Sequence, residues 1–407
     1  MSDVFVARQP IFDRTLDVAG YELLFRGNDT TAEAIIASPE GATATVVLNS
    51  VTEIGLQQIV GTKCAWVNVS REFILGGLAQ TLPPGLTLLE ILEDQLIDEE
   101  LIVAVTELKQ RGYHLALDDF IYDESCEPLL ELVDVVKLDL LALGRDGLSH
   151  EVARLRPYGP RLLAEKLETR DDYAYCAAAG CDLFQGYFFC RPELVRGRRI
   201  DANRLSLLEV LAALQEPDVE LHTLERIIAR DVGLSYRLLR YINSAFFGLR
   251  QEVRSIGQAL ALLGVESLTR WASLSVFASI DDKPPELTVT ALIRGRFCEL
   301  VGAEHLRGAS HSELFTLGLF SVIDALMDTP IENVLAKIPF PPDICDALVS
   351  HQGEKGKLLE CITALEAGAF DRAEELLPDA GQAYLEALSW ANDAADPLFE
   401  QPASAAA

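Results

Sequence analysis

The 407-residue chain contains no CxxC pair, and its eight cysteines (64, 126, 176, 181, 190, 298, 345 and 361) stand scattered. Their spacing indicates neither a zinc site nor a disulfide framework, which suits a reducing compartment. Basic residues are scarce. Thirty-four Lys and Arg face 63 Asp and Glu, for a formal net charge of −29. Nucleic acid and anionic membrane surfaces select basic faces, so neither is expected as a partner. No apolar run reaches the ~18 residues of a spanning helix, and no basic segment leads into an apolar stretch at the N-terminus. A soluble, cytoplasmic chain is expected. No glycine-rich phosphate loop follows the first strand-like run, which removes the dinucleotide-binding fold. With so acidic a chain, an anionic ligand needs local help from a metal, an arginine or a lysine.

What is present is apolar residues, 49% of the chain, in a length that exceeds what one core usually accommodates. Up to about residue 195, eight β-rich runs, "VFVARQPIF", "VAGYELLFR", "CAWVNVS", "LTLLEIL", "HLALDDF", "VVKLDL", "RLLAEKL" and "LFQGYFF", alternate with helix-like stretches such as "DEELIVAVTELKQRGY". Strands alternating with helices predict a mostly parallel sheet, and eight strands in so short a span fit a closed (β/α) TIM-like barrel better than an open sheet. Near Arg196, Arg198 and Arg199 the texture changes to successive amphipathic helices, with Asp201 or Asn203 as a candidate cap and Gly264 as a candidate helix end. The expected organisation is an α/β barrel over 1–195, an all-helical domain over 196–395 and a frayed tail over 396–407.

The stretch "LALDDFIYDESCEPLLELVDVVKLDL" places Asp118 and Asp119 where an apolar run ends, with Lys137 in the next run. Two carboxylates ~5 Å apart repel by about 3 kcal/mol at an effective dielectric near 20, so a cation, a shared proton or solvation must relieve them. The other runs each carry one such interruption: Glu22, Asn68, Glu90, Glu165 and Gln185. Taken singly, a Glu or Asn at a strand end is solvated or caps the next helix, and a lone Lys137 snorkels or forms an ion pair. Repeated around a parallel barrel, such residues converge on the C-terminal face, where catalytic groups gather. Oxygen donors of this kind suit a hard divalent cation, Mg²⁺ or Mn²⁺, rather than zinc. Adjacent Asp118 and Asp119 could serve the two ions of a two-metal site, an arrangement suited to phosphodiester hydrolysis.

In combination, "QPIF", "GYELLFR", "VNVS", "LEILE", "LDDF", "VKLD", "AEKLET" and "FQGYFFCRP" make residues 3–193 resemble the EAL domain, which hydrolyses cyclic di-GMP to pGpG. Glu22-Leu23-Leu24 stand where the family has Glu-Ala-Leu, and "AEKLET" where it has Ala-Glu-Gly-Val-Glu-Thr. The resemblance implies metal ligation by Glu22, Asn68, Glu90, Asp118 and Asp119. It implies that Glu165 joins through a second metal or its water, that Lys137 orients water or phosphate, and that Glu168 braces its loop. Gln185 would hold water or ligand, Arg26 a phosphate and Gln9 a guanine. One departure stands out. The family follows its double aspartate with Gly-Thr-Gly-Tyr, a loop coupled to dimerisation, whereas here Ile121 opens "IYDESCEP".

The second half resembles the HDOD domain, a helical relative of the HD hydrolases, through "ARDVGLSYRLLRYINSAFFG", "RSIGQALALLG" and "FTLGLFSVIDALM". The metal-binding His-Asp pair of those hydrolases is replaced by Ser321 and Val322, and His305 and His311 have the look of helix-end residues. Hydrolysis in this half is therefore not expected, and an interaction or regulatory module is, with Phe246 and Phe247 available for the core or a protein partner. Two functions follow: a metal-dependent cyclic di-GMP phosphodiesterase, or a weak or inactive EAL domain serving as cyclic di-GMP receptor or scaffold. A homodimer is compatible with either.

Overall fold

The computed structural model describes residues 4–27, 55–92, 96–123, 126–190, 210, 213–214, 220–230, 232–242, 253–278, 283–306, 309–335 and 340–399. They fall into two compact units, one of residues 1–191 with 363–375, the other of 192–362 with 376–407.

In the first unit, eight strands among the described residues close into a barrel in sequence order: β1 (Val4–Asp13), β2 (Val18–Gly27), β3 (Cys64–Val69), β4 (Thr87–Ile91), β5 (His114–Leu117), β6 (Val135–Asp139), β7 (Arg161–Glu165) and β8 (Leu183–Gln185). β1 runs antiparallel to β2 and β8, and every other pairing is parallel. Each expected β-rich run forms a strand. The run "LFQGYFF" ends at Gln185, because Gly186 leaves the sheet at φ +143°, where a Cβ would lie 2.2 Å from the Leu167 carbonyl oxygen.

Side chains alternate along a strand, so residues two apart share a face. This period organises the barrel interior. A buried cluster of Ile11, Trp66, Leu88, Ala116, Val135, Leu163 and Leu183 fills it. Two positions further along β3 to β8, on the same inward face, stand Asn68, Glu90, Asp118, Lys137, Glu165 and Gln185. In antiparallel β1 the order reverses, from Ile11 to Gln9, and Gln9 pairs with Glu22 of β2. β2 contributes Gly20 to the apolar layer, where a Cβ would meet Trp66 Nε1 at 2.5 Å. The missing side chain makes room for the indole. A polar layer thus rests on an apolar floor.

The helices between the strands are capped locally. In Glu99–Gln110, the Asp98 carboxylate accepts from Leu101 N at 3.0 Å, and in Arg170–Ala179, Thr169 and Asp172 form a reciprocal capping box.

The second unit is helical from Leu221–Ala229 to Ala380–Phe399 among the described residues. Its most buried helix, Pro285–His305, packs on His311–Phe320, where Gly318 permits close approach: a Cβ there would sit 2.1 Å from the Arg294 carbonyl oxygen. The helix Ile256–Ala278 is broken at Gly264, which takes φ +70°, a conformation glycine adopts without steric cost. Arg196, Arg198, Arg199, Asp201, Asn203, Phe246 and Phe247 lie outside the described residues. No helix among those described is long and apolar enough to cross a membrane.

Candidate active site

Lys137 is the centre of the polar layer. Its Nζ lies 2.7 Å from Asp118 Oδ1, 2.7 Å from Glu165 Oε1, 3.1 Å from Glu90 Oε2 and 3.4 Å from Glu22 Oε2. The lysine is 1% exposed, so this ammonium is the counter-charge that lets four carboxylates share a buried site. A ring of amides completes the layer. Asn68 Nδ2 donates to Glu22 Oε1 at 3.0 Å, and Gln185 Nε2 to Glu22 Oε2 at 2.7 Å and Gln9 Oε1 at 3.1 Å.

Burial and mutual repulsion dominate the protonation of these groups. Burial drives the Glu90 carboxyl well above the usual carboxylate range, with the Glu22 charge adding to it and Lys137 opposing. Burial likewise raises Glu165, to about 8, and Asp118, in both cases against the pull of Lys137. For Glu22, burial is outweighed by Lys137 together with the hydrogen bonds from Gln185 and Asn68, so its pKa falls. Burial also works against the charged form of Lys137, but the surrounding carboxylates outweigh it and hold the ammonium protonated far above its usual range.

Glu22, Glu90 and Asp118 each offer a carboxylate oxygen, and these oxygens lie within 4.8 Å of one another. Beside them, Glu90 Oε1, Asn68 Oδ1 and Gln185 Oε1 are buried and accept no hydrogen bond among the described residues. Buried acceptors without donors are costly, and all of these donors are hard oxygens. The set fits a Mg²⁺- or Mn²⁺-like ion, which prefers oxygen ligands.

Asp119 is not in that group. Its backbone takes φ +39°, and its carboxylate faces Lys166, 3.6 Å from Oδ1 to Nζ. Glu168 is exposed on the wall of a cavity of about 460 Å³, which Gln9, Glu22, Asp118, Asp119, Lys137, Glu165, Lys166 and Gln185 also line. Arg26 stands opposite Phe5 in the β1–β2 pair, and its side chain lies outside the described residues. Of the sequence-predicted residues, the barrel therefore brings Gln9, Glu22, Asn68, Glu90, Asp118, Lys137, Glu165 and Gln185 together, with Asp119 and Glu168 at the rim.

Past Phe120, the glycine-free loop has its own support. Ile121 is 68% exposed, but the Tyr122 ring lies under the Arg154 guanidinium at 3.6 Å, and its hydroxyl lies 3.2 Å from that of Tyr158. Both tyrosine hydroxyls donate to Glu127 Oε1.

Two features escaped the sequence. Lys166 follows Glu165 directly, so strand alternation would turn it away from the site; its left-handed backbone (φ +57°) brings it back. Residues 363–375 belong to the barrel's unit: Gln9 Nε2 donates to the Glu366 carbonyl at 3.2 Å, and Ala367 lines the cavity. A separation of 357 positions leaves no local signal for such a contact.

In the helical unit, Ser321 Oγ accepts from Arg294 Nη1 at 3.2 Å and donates to the Gly318 carbonyl at 2.7 Å, and Val322 is buried. Neither side chain is a metal donor. His305 ends the helix Pro285–His305, His311 begins His311–Phe320, and both are exposed.

Two family models match separate parts of the chain. The EAL domain model matches residues 71–192 and the HDOD domain model residues 205–328. The cyclic di-GMP phosphodiesterase CdgJ of Vibrio cholerae serotype O1 is 34% identical over 404 residues, covering 97% of this chain and 93% of that protein. YuxH of Bacillus subtilis (strain 168) is 34% identical over 412 residues, covering 97% and 99%. A standalone EAL protein of Vibrio cholerae O395, solved in its c-di-GMP bound form, is 23% identical over 46% of this chain and 91% of that one, with a TM-score of 0.37, too low to carry functional weight. Both family models and full-length relatives above 30% identity point the same way: the chain belongs to the EAL–HDOD family, an EAL domain followed by an HDOD domain.

Proposed function

We propose that this chain hydrolyses cyclic di-GMP to pGpG at the mouth of the barrel, using Mg²⁺ or Mn²⁺. The observation that carries the reading is the convergence of Glu22, Glu90 and Asp118 oxygens beside buried, undonated oxygens of Asn68 and Glu90. The 34% identical relative CdgJ, a cyclic di-GMP phosphodiesterase, supports it.

Glu22, Asn68, Glu90 and Asp118 hold the cation. When bound, it polarises the phosphodiester and makes water a competent nucleophile near neutral pH. Lys137 fixes the Asp118 and Glu165 carboxylates against each other at 2.7 Å each. Glu165, whose carboxyl burial raises to about 8 in the metal-free site, exchanges its proton near neutral pH. Gln185 fixes the amide of Gln9, which orients a guanine, and Arg26 contacts a phosphate. Glu168 braces the loop beyond β7.

In this reading residues 1–195 carry the chemistry in the cytoplasm. The helical region 196–395, apart from residues 363–375 of the barrel's unit, binds a protein partner and regulates the barrel, and the chain forms a homodimer. The tail expected over 396–407 starts later, because the helix Ala380–Phe399 runs through its first four positions. A receptor for cyclic di-GMP is the second reading. It is favoured by the replacement of the glycine loop with "IYDESCEP".

The test is incubation of the full chain with cyclic di-GMP and Mg²⁺ or Mn²⁺, with products separated by chromatography. The expected result is pGpG, abolished by EDTA and nearly abolished by Glu22→Ala. Normal turnover by Glu22→Ala sinks the site assignment. Micromolar binding without turnover by the wild type establishes the receptor.

A further inference from the structure

The side of the cavity nearest Asp119 already contains a cation. Lys166 Nζ lies 2.5 Å from Asp139 Oδ2 and 3.6 Å from Asp119 Oδ1. Three features hold it there. Its backbone sits at φ +57°, a conformation that residues with a Cβ rarely adopt and that persists where surroundings enforce it. The next residue is tied into the sheet, with Leu167 N donating to the Gln185 carbonyl at 3.1 Å. Asp139 is itself fixed, since its Oδ1 accepts from Leu141 N at 2.7 Å and Ala142 N at 3.1 Å. The lysine cannot swing away without leaving Asp139 without its cation.

Asp119 also takes a left-handed backbone, at φ +39°. Two non-glycine residues in that region, from separate segments, turn opposite charges toward each other across the cavity wall. A divalent ion at Asp119 would have to settle a few ångströms from this ammonium, and like charges so close repel. Lys166 is already engaged as a cation with Asp139 Oδ2. The groups facing its ammonium are Asp119, Asp139 and Glu165, all acidic. The Glu165 oxygen nearest the centre is occupied by Lys137.

We propose that Lys166 is a positioning residue that supplies the positive charge on the Asp119 side, so that this site takes one divalent cation, at Glu22, Glu90 and Asp118, with the lysine in place of a second. The inference rests on the metal-dependent reading above. Its side chain stays half-exposed on the cavity wall, 49% by area.

The experiment counts bound Mn²⁺ in the full chain, by electron paramagnetic resonance of the free ion during titration. One ion per chain is expected for the wild type and for Lys166→Arg. Two are expected for Lys166→Met, which removes the charge, and for Lys166→Gly, which accepts the backbone conformation and keeps the fold testable if methionine does not. Two ions in the wild type overturn the inference and leave the metal-dependent site standing. One ion in the wild type and in both uncharged variants also overturns it, since the charge would then exclude nothing. No bound ion in any of them overturns the metal-dependent reading and this inference with it.

Discussion

Lys137 Nζ lies 2.7 Å from Asp118 Oδ1, inside the ring of carboxylates, and both belong to the first layer of polar side chains above the apolar floor of the barrel. The ammonium and a divalent cation are therefore two answers to the same repulsion among Glu22, Glu90, Asp118 and Glu165.

Removing the ammonium should leave carboxylates buried without compensation. Lys137→Met is expected to lose about 3–5 kcal/mol in EDTA, the usual cost of breaking a buried ion pair on one side. Mn²⁺ should then stabilise the variant more than the wild type. Urea midpoints with and without metal measure this, and an equal metal effect on both proteins would contradict it.

The metal-free protein should lose stability as the pH rises. Unfolded glutamates release their protons near 4.5, whereas burial keeps the proton on folded Glu165 to about 8. Between these values the native state holds more protons than the unfolded state, so this contribution is present below about 4.5 and lost as pH passes through about 8. Glu90 acts in the same direction. Glu22 is lowered and Lys137 raised, so both titrate outside the window. Melting temperatures in EDTA from pH 5.5 to 8.5 should fall for the wild type and fall less for Glu165→Gln. Parallel curves would refute the assignment.

Metal binding should strengthen over the same range, because a cation competes with the protons on Glu90 and Asp118, whose pKa values are raised. Calorimetric titration with Mn²⁺ should show protons released on binding, with tighter binding at pH 8 than at pH 6. Affinity independent of pH would mean that these carboxyls are not the ligands.

Every stoichiometric metal should be lost from the full chain carrying both Glu22→Ala and Asp118→Ala. Ser321 and Val322 leave the helical unit without the dyad of HD hydrolases. Elemental analysis after gel filtration measures this; an ion still retained would locate a second site.

Gly20→Val should destabilise the barrel by about 1–3 kcal/mol or more, as overpacking does in a filled core. Its Cβ would press on Trp66 Nε1 at 2.5 Å and on the Cys64 carbonyl at 2.8 Å. Chemical denaturation followed by tryptophan fluorescence tests it, and a variant as stable as wild type would show that the indole can move aside.

The barrel and its polar layer are legible in the order of the amino acids. An apolar residue followed two positions later by an oxygen- or nitrogen-bearing one, as in Trp66 and Asn68, Leu88 and Glu90, or Leu163 and Glu165, is legible because strand alternation has a strict period of two. The absence of a metal dyad at Ser321 and Val322 was equally plain, since ligands are residue types. Which of these groups touch depends on how the chain closes in three dimensions. Lys137 reaches Glu22 across 115 positions because the barrel closes, and no local pattern encodes closure. Nor does alternation foresee Lys166, which a left-handed backbone returns to the site, or the left-handed backbone of Asp119, whose carboxylate faces that lysine. Backbone sign at a strand's exit is set by what the surrounding chain packs and pairs there, such as Asp139 beneath the lysine.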